Sequence, residues 1–218
     1  MDQRTIIIGD VHGCHRELKD LLKKVKADPS ADRIFFIGDL INKGPSSKGV
    51  WEQFRELNAV SLMGNHELSL LEMTQGKYHK HEKYLAKLHK DFGSHFDDFI
   101  KDIHGFPLWL EDHDLMMVHG GLVPGLHPDQ TDPWTLVSIR TWDGEGHDLK
   151  NEKNPPWFDL YEGDDLVVFG HWAALGGLVR DKVVGLDTGC VYGGKLSCLI
   201  LPERKIVQVN ARKTYAKI

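Results

Sequence analysis

The stretch "RTIIIGDVHGCHRELKDLLKKV", residues 4–25, passes from an apolar, β-branched run through two glycines, an aspartate and a histidine into a periodic segment. Thr5 to Ile8 read as a buried strand closed by Gly9, and Leu18, Leu21, Leu22 and Val25 fall on one face of a helix over residues 14–26. The runs "RIFFIG" (33–38) and "NAVSLMG" (58–64) repeat the strand-then-glycine pattern, with a second helix marked by Trp51, Phe54, Arg55 and Leu57 between them. The first third is therefore βαβαβ, and the fold class is α/β.

Residues 68–103 are rich in Lys, His, Glu and Leu, lack proline, and read as a helical insertion of two or three helices broken near Gly76 and Gly93. "LWLEDHDLMMVHGG" (108–121) predicts a strand pair turning at Asp112 to Asp114, and residues 120–165, dense in Pro, Gly, Asp and Trp, read as mostly loop. Three more strand patterns close the sequence: "DLVVFGH" (165–171), "LVRDKVVGLD" (178–187, turning at Arg180 to Lys182) and "KLSCLILPERKIVQVN" (195–210, turning at Pro202 to Arg204). A single domain over residues 1–218 with two sheets packed face to face is expected.

With 41% hydrophobic and 27% charged residues in 218, the chain can bury a full core. Its net charge of -5, without a long basic run, argues against duplex DNA or an anionic membrane as partner. No run nears 18 apolar residues and no signal-peptide pattern opens the sequence, so a cytoplasmic protein is expected. Cys14, Cys190 and Cys198 cannot all pair with one another and form no CxxC, which points to reduced thiols rather than a disulfide framework or zinc ribbon. The histidines at 79, 81, 89 and 95 lie among lysines and read as a solvated helix face.

Five strand patterns end in polar motifs: "GDVHG" at 9, "GDLINKGP" at 38, "GNHE" at 64, "VHGG" at 118 and "FGHW" at 170. Parallel strands of one sheet place such ends along one edge, where ligands of open α/β sheets bind. A lone Gly-Asp is an ordinary turn or helix cap, and a lone edge histidine an ordinary packing residue. Together they present Asp10, His12, Asp39, Asn65, His119 and His171, an oxygen and imidazole set suited to manganese, iron or zinc. Six ligands exceed what one catalytic ion takes, and one shared carboxylate could bridge two.

"GDVHG", "GDLINKGP", "GNHE", "VHGG" and "FGHW" resemble, over nearly the whole chain, the motifs of the calcineurin-like metallophosphoesterases, phosphoprotein phosphatase branch. "FGHWAALGG" and "GLDTGCVYGGKLSCL" resemble more narrowly the C-terminal signature of bacterial, symmetrically cleaving diadenosine tetraphosphatases. The resemblance implies an α/β/β/α sandwich of two mixed sheets flanked by helices. It implies two divalent ions, manganese first with iron, cobalt or zinc as alternatives. One would be held by Asp10, His12 and Asp39, the other by Asp39, Asn65, His119 and His171, with Asp39 bridging. A metal-activated water would attack phosphorus, and His66 matches the general acid.

The implied activity is hydrolysis of diadenosine tetraphosphate and related dinucleoside polyphosphates to two ADP, with RNA 5′ dinucleotide caps as a further substrate. The alternative on the same fold is a protein serine/threonine phosphatase. Asn42-Lys43 replaces the Asp-Arg pair common in that alternative, so Asn42 cannot supply a carboxylate to His66, and Glu67 or another acid would have to. Lys43 keeps the positive charge for phosphate without arginine's planar fork. Arg140, in "SIRTWDG", resembles the family's second phosphate-binding arginine, and Trp142, Trp172 and Tyr192 are candidates for stacking on adenine.

Overall fold

The structure, a computed structural model, describes residues 3–77 and 82–217. His79 and His81 lie outside the described residues. In chain order the elements are β1 (Thr5–Ile8), α1 (His15–Val25), β2 (Arg33–Phe36), α2 (Ser47–Glu56), β3 (Val60–Ser61), α3 (Asn65–Thr74), α4 (Glu82–Phe92) and α5 (Phe96–His104). There follow β4 (Trp109–Asp112), β5 (Leu115–Val118), α6 (Pro133–Ser138), β6 (Leu166–Phe169), β7 (Leu178–Val179), β8 (Val183–Gly185), β9 (Lys195–Leu201) and β10 (Lys205–Asn210).

They form two five-stranded mixed sheets flanked by helices, ordered β10-β9-β1-β2-β3 and β4-β5-β6-β8-β7. β1, β2 and β3 run parallel, with Ile6 opposite Ile34, and β9 joins β1 antiparallel with Leu199 opposite Ile7. In the second sheet β5, β6 and β8 are parallel neighbours, edged by antiparallel β4 and β7. Alternation along each strand sorts the side chains into layers. Ile7, Phe35, Leu62, Met117, Val168, Val184 and Leu199 meet between the sheets. Ile6, Ile8, Ile34 and Phe36 face a core shared with the helices. Each such side chain contributes roughly 1.5–3 kcal/mol on burial.

The helices after β3, in the stretch expected to be helical, pack into the main core: Leu70, Leu88, Phe92 and Phe99 share the core of α1 and α2. Trp51 of α2 packs with its ring centroid 5.6 Å from that of Phe92, and Phe92 stacks on Phe99 at 4.0 Å. His89 keeps the exposed position expected of it while one face of its ring stacks on Phe96 at 3.6 Å. The loop after β5 also holds a short helix, α6, capped by Asp132 Oδ1 accepting from the Thr135 N–H at 3.0 Å and carrying Pro133 in its first turn. It helps cover the outer face of the second sheet together with Trp157 and Phe158.

Candidate metal centre

The motif loops after β1, β2 and β3 come from one sheet and those after β5 and β6 from the other, so the polar strand ends meet across the sandwich and not along a single sheet. Asp10, His12, Asp39, His119 and His171 are all buried. Asp39 stands at the centre. Its Oδ2 lies 3.4 Å from His12 Nε2 and its Oδ1 lies 3.5 Å from His119 Nε2. Asn65 Oδ1 is 3.2 Å from His119 Nε2 and 2.8 Å from His171 Nδ1. The His171 N–H donates to both Asp10 oxygens, at 3.1 and 3.2 Å, bringing the ends of β1 and β6 together.

Backbone carbonyls decide which ring nitrogens are free. His12 Nδ1–H donates to Ile41 O at 3.0 Å and His119 Nδ1–H donates to Ile37 O at 2.8 Å. A carbonyl only accepts, so Nε2 of each ring keeps its lone pair and turns it toward Asp39. Burial pushes His12 down to about 3 and lowers His119, so both rings are neutral at pH 7. Lone pairs facing carboxylate and amide oxygens in a buried space form an arrangement that a cation completes. His171 Nε2 is also buried without a partner. The donor set therefore fits metal.

Charge makes the same demand. Burial, with Asp187 and Asp39 nearby, pushes Asp10 well above the carboxylate range, and burial raises Asp187 to about 6. Asp39 is held far below that range: burial alone would raise it, and His119, His66 and His12 outweigh the burial. This much crowded carboxylate needs positive charge beside it. Lys43 supplies some, its Nζ donating to His12 Nε2 at 3.1 Å while lying 5.3 Å from the centre of the Tyr192 ring. Two triads have ligand atoms within 4.8 Å of one another, His12–Asp39–His66 and Asp10–Asp39–His119, sharing Asp39. The sequence partition differs, grouping Asp10 with His12.

The backbone is shaped to allow this crowding. A Cβ on Gly170 would lie 2.1 Å from Asp10 Oδ1, and one on Gly64 would lie 2.3 Å from Asp39 Oδ1. His12, Asp39, Asn42, Lys43 and His171 all hold positive φ between 46° and 73°, strain that accumulates at functional sites.

His66, in the first turn of α3, has Nε2 4.0 Å from Asp39 Oδ2, and its main-chain N–H donates to Asp39 Oδ1 at 3.0 Å. Its partner is Asn42, whose Nδ2 lies 2.7 Å from His66 Nδ1. Glu67 does not reach His66. It accepts from the N–H groups of Asp39, Leu40, Ile41 and Gly64 at 2.9–3.3 Å, tying the loop after β2 to the start of α3. Arg140 is half-buried with an unpartnered Nε, close enough to His171 and Asp187 for its charge to lower both.

Asp187 was missed in the sequence. It is buried and its Oδ1 accepts from the Gly189 N–H at 3.0 Å. The signal was present: "VVGLD" is another apolar run ending in a carboxylate, as at Asp10 and Asp39. Trp172 is buried in the core of the second sheet, its ring 6.0 Å from Phe158, and Trp142 lies partly buried against that core.

A model of the calcineurin-like phosphoesterase family matches residues 3–176. Relatives named symmetrical bis(5′-nucleosyl)-tetraphosphatase include one from Methylobacillus flagellatus, 30% identical over 94% of this chain and 94% of its own. Another, from Erwinia tasmaniensis, is 30% identical over 96% of this chain and 98% of its own. The first alignment runs over 262 positions against a chain of 218, so that relative carries residues this one lacks. A crystal structure of a protein provisionally named a diadenosine tetraphosphatase superposes with a TM-score of 0.85 at 32% identity, covering 96% of this chain and 94% of that one. A Saccharomyces cerevisiae protein serine/threonine phosphatase shares the fold, with a TM-score of 0.63 at 14% identity. With its motif loops gathered on Asp39 and the family model matching most of its length, the chain belongs to the calcineurin-like phosphoesterases.

Proposed function

We propose that this chain hydrolyses diadenosine tetraphosphate and related dinucleoside polyphosphates to two ADP, in the cytoplasm, with two divalent cations, manganese first and iron, cobalt or zinc as alternatives. The observation that carries the reading is Asp39, one carboxylate with an oxygen toward each of two neutral imidazole lone pairs, His12 and His119. Asp10, His12 and Asp39 would hold one ion, and Asp39, Asn65, His119 and His171 the other. When bound, the ion pair supplies an activated water and neutralises charge on the transferred phosphoryl oxygens.

The chain's own groups do the rest. Lys43 and Arg140 bring positive charge to the polyphosphate. Asp187 acts as a positioning residue, holding the Gly189 loop beside Asp10. His66 keeps its proton on Nε2, because Asn42 Nδ2 donates to its Nδ1, and hands that proton to the departing oxygen. A phosphate leaving group, with a second ionisation near about 6, needs little help from a neutral imidazole. A serine alkoxide needs far more, which favours the anhydride over the phosphoprotein. The shorter chain supports a cleft open enough for a dinucleotide cap on RNA.

Incubating the manganese-loaded protein with diadenosine tetraphosphate and separating the products tests the proposal. Two ADP are expected. ATP with AMP would overturn symmetric cleavage, and absent turnover alongside rapid phosphopeptide hydrolysis would make the chain a protein phosphatase.

A further inference from the structure

Beside His66 lies a cavity of about 480 Å³ lined by Asn42, Asn65, His66, Ser69, Met73, Tyr84 and Trp134. One end is the catalytic histidine with its partner, and the other is apolar and aromatic. No lysine or arginine stands among those lining residues, in contrast to the Lys43 and Arg140 flank. The Trp134 ring is pinned in its wall: Nε1–H donates to Glu72 Oε1 at 3.0 Å. Met73 is buried, and the Tyr84 hydroxyl is buried with no partner among the described residues.

We infer that this cavity is the nucleobase subsite for the departing half of the substrate, with the adenine seated against Trp134, Tyr84 and Met73. The inference rests on the phosphohydrolase reading and extends it. A general acid stands next to the leaving oxygen, so the leaving nucleoside diphosphate extends past His66, away from the ions. The cavity that touches His66 offers it aromatic faces and, among the described residues, no cation, which suits a base and not a phosphate. Its volume lies within the range of small-molecule sites. Trp172, buried against Phe158, is committed to packing and leaves the stacking role to this cavity.

The test compares wild type, Trp134→Ala, Trp134→Phe and Tyr84→Ala, each loaded with manganese. Two quantities are read: KM for diadenosine tetraphosphate, and the inhibition constant of inorganic tetraphosphate, which carries the phosphates and no base. Stacking on one aromatic ring corresponds to roughly 5- to 100-fold in affinity. Trp134→Ala and Tyr84→Ala are expected to raise KM within that range while the tetraphosphate constant stays within about twofold, and Trp134→Phe is expected to retain most of the wild-type KM. Unchanged KM in both alanine variants, or equal weakening of tetraphosphate, overturns the subsite and leaves the phosphohydrolase reading intact. A wild type that does not cleave the dinucleotide removes that reading and the subsite with it.

Discussion

Asn42 Nδ2 lies 2.7 Å from His66 Nδ1, and the orientation of its amide is fixed because Asn42 Oδ1 accepts from the Lys43 N–H, also at 2.7 Å. Turning the amide over would set two donors against each other. His66 is therefore the Nε2–H tautomer, a neutral acid whose proton faces Asp39. Burial lowers its pKa against the attraction of Asp39, so the neutral ring predominates at pH 7.

Asn42→Asp replaces the donor with an acceptor and favours the imidazolium. An alkaline limb of kcat against pH, absent from a wild type whose acid is the neutral ring, is expected to appear where the imidazolium loses its proton, read by initial rates in a pH series. Asn42→Ala frees the tautomer and is expected to cost on the order of tenfold in kcat, short of the 10²–10⁴ range for losing an acid outright.

Asp39→Asn removes the charge shared by both triads. Bound metal, measured by elemental analysis after gel filtration, is expected to fall to near zero. Turnover should drop by at least the order of 10²–10³ that losing one electrostatic group costs. Removing metal from the wild type with a chelator should give the same loss, and adding manganese should restore it in the wild type alone.

Gly170→Ala tests crowding without touching a ligand. The new Cβ would stand 2.1 Å from Asp10 Oδ1 and drive that carboxylate aside. Metal affinity by calorimetric titration is expected to weaken by roughly 10- to 100-fold, as when a ligand's support is lost.

Stability has a handle far from the site. Arg4 grips Asp32 with Nε at 2.8 Å and an Nη at 2.5 Å, and that hydrogen bond holds Asp32 below the ordinary carboxylate range. A depressed folded-state pKa contributes stability above the unfolded value, near about 3.9, which is lost as pH falls through the folded one. Asp32→Asn is expected to cost roughly 1 to 3 kcal/mol by urea denaturation at pH 7, with the gap closing as pH falls below the ordinary carboxylate range.

Much of this is legible because its signals are local. Thr5 to Ile8 announce a strand by β-branching, Leu18 to Val25 a helix by period, and the ligands ride in motifs a few residues long. What was not legible depends on distance along the chain. That His119 and His171 come from a different sheet than Asp10 follows from which strands pair, and Met117 meets Ile7 only after more than a hundred residues of intervening chain. Glu67 looked like a partner for its neighbour His66. Its reach is set by the exposed N–H groups of residues 39–41, which the turn after β2 leaves unpaired until the two loops meet.

The division of the donors between the sheets has a mechanical consequence. Cations gripped by Asp10 and Asp39 on one sheet and by His119 and His171 on the other would clasp the two halves of the sandwich, adding to the apolar contacts between Ile7 and Met117. Ligand binding to the native state alone raises its stability, so the loaded protein melts higher by an amount that grows with free metal concentration. The ions would thus rivet the enzyme as well as arm it, and prying the sheets apart would release them.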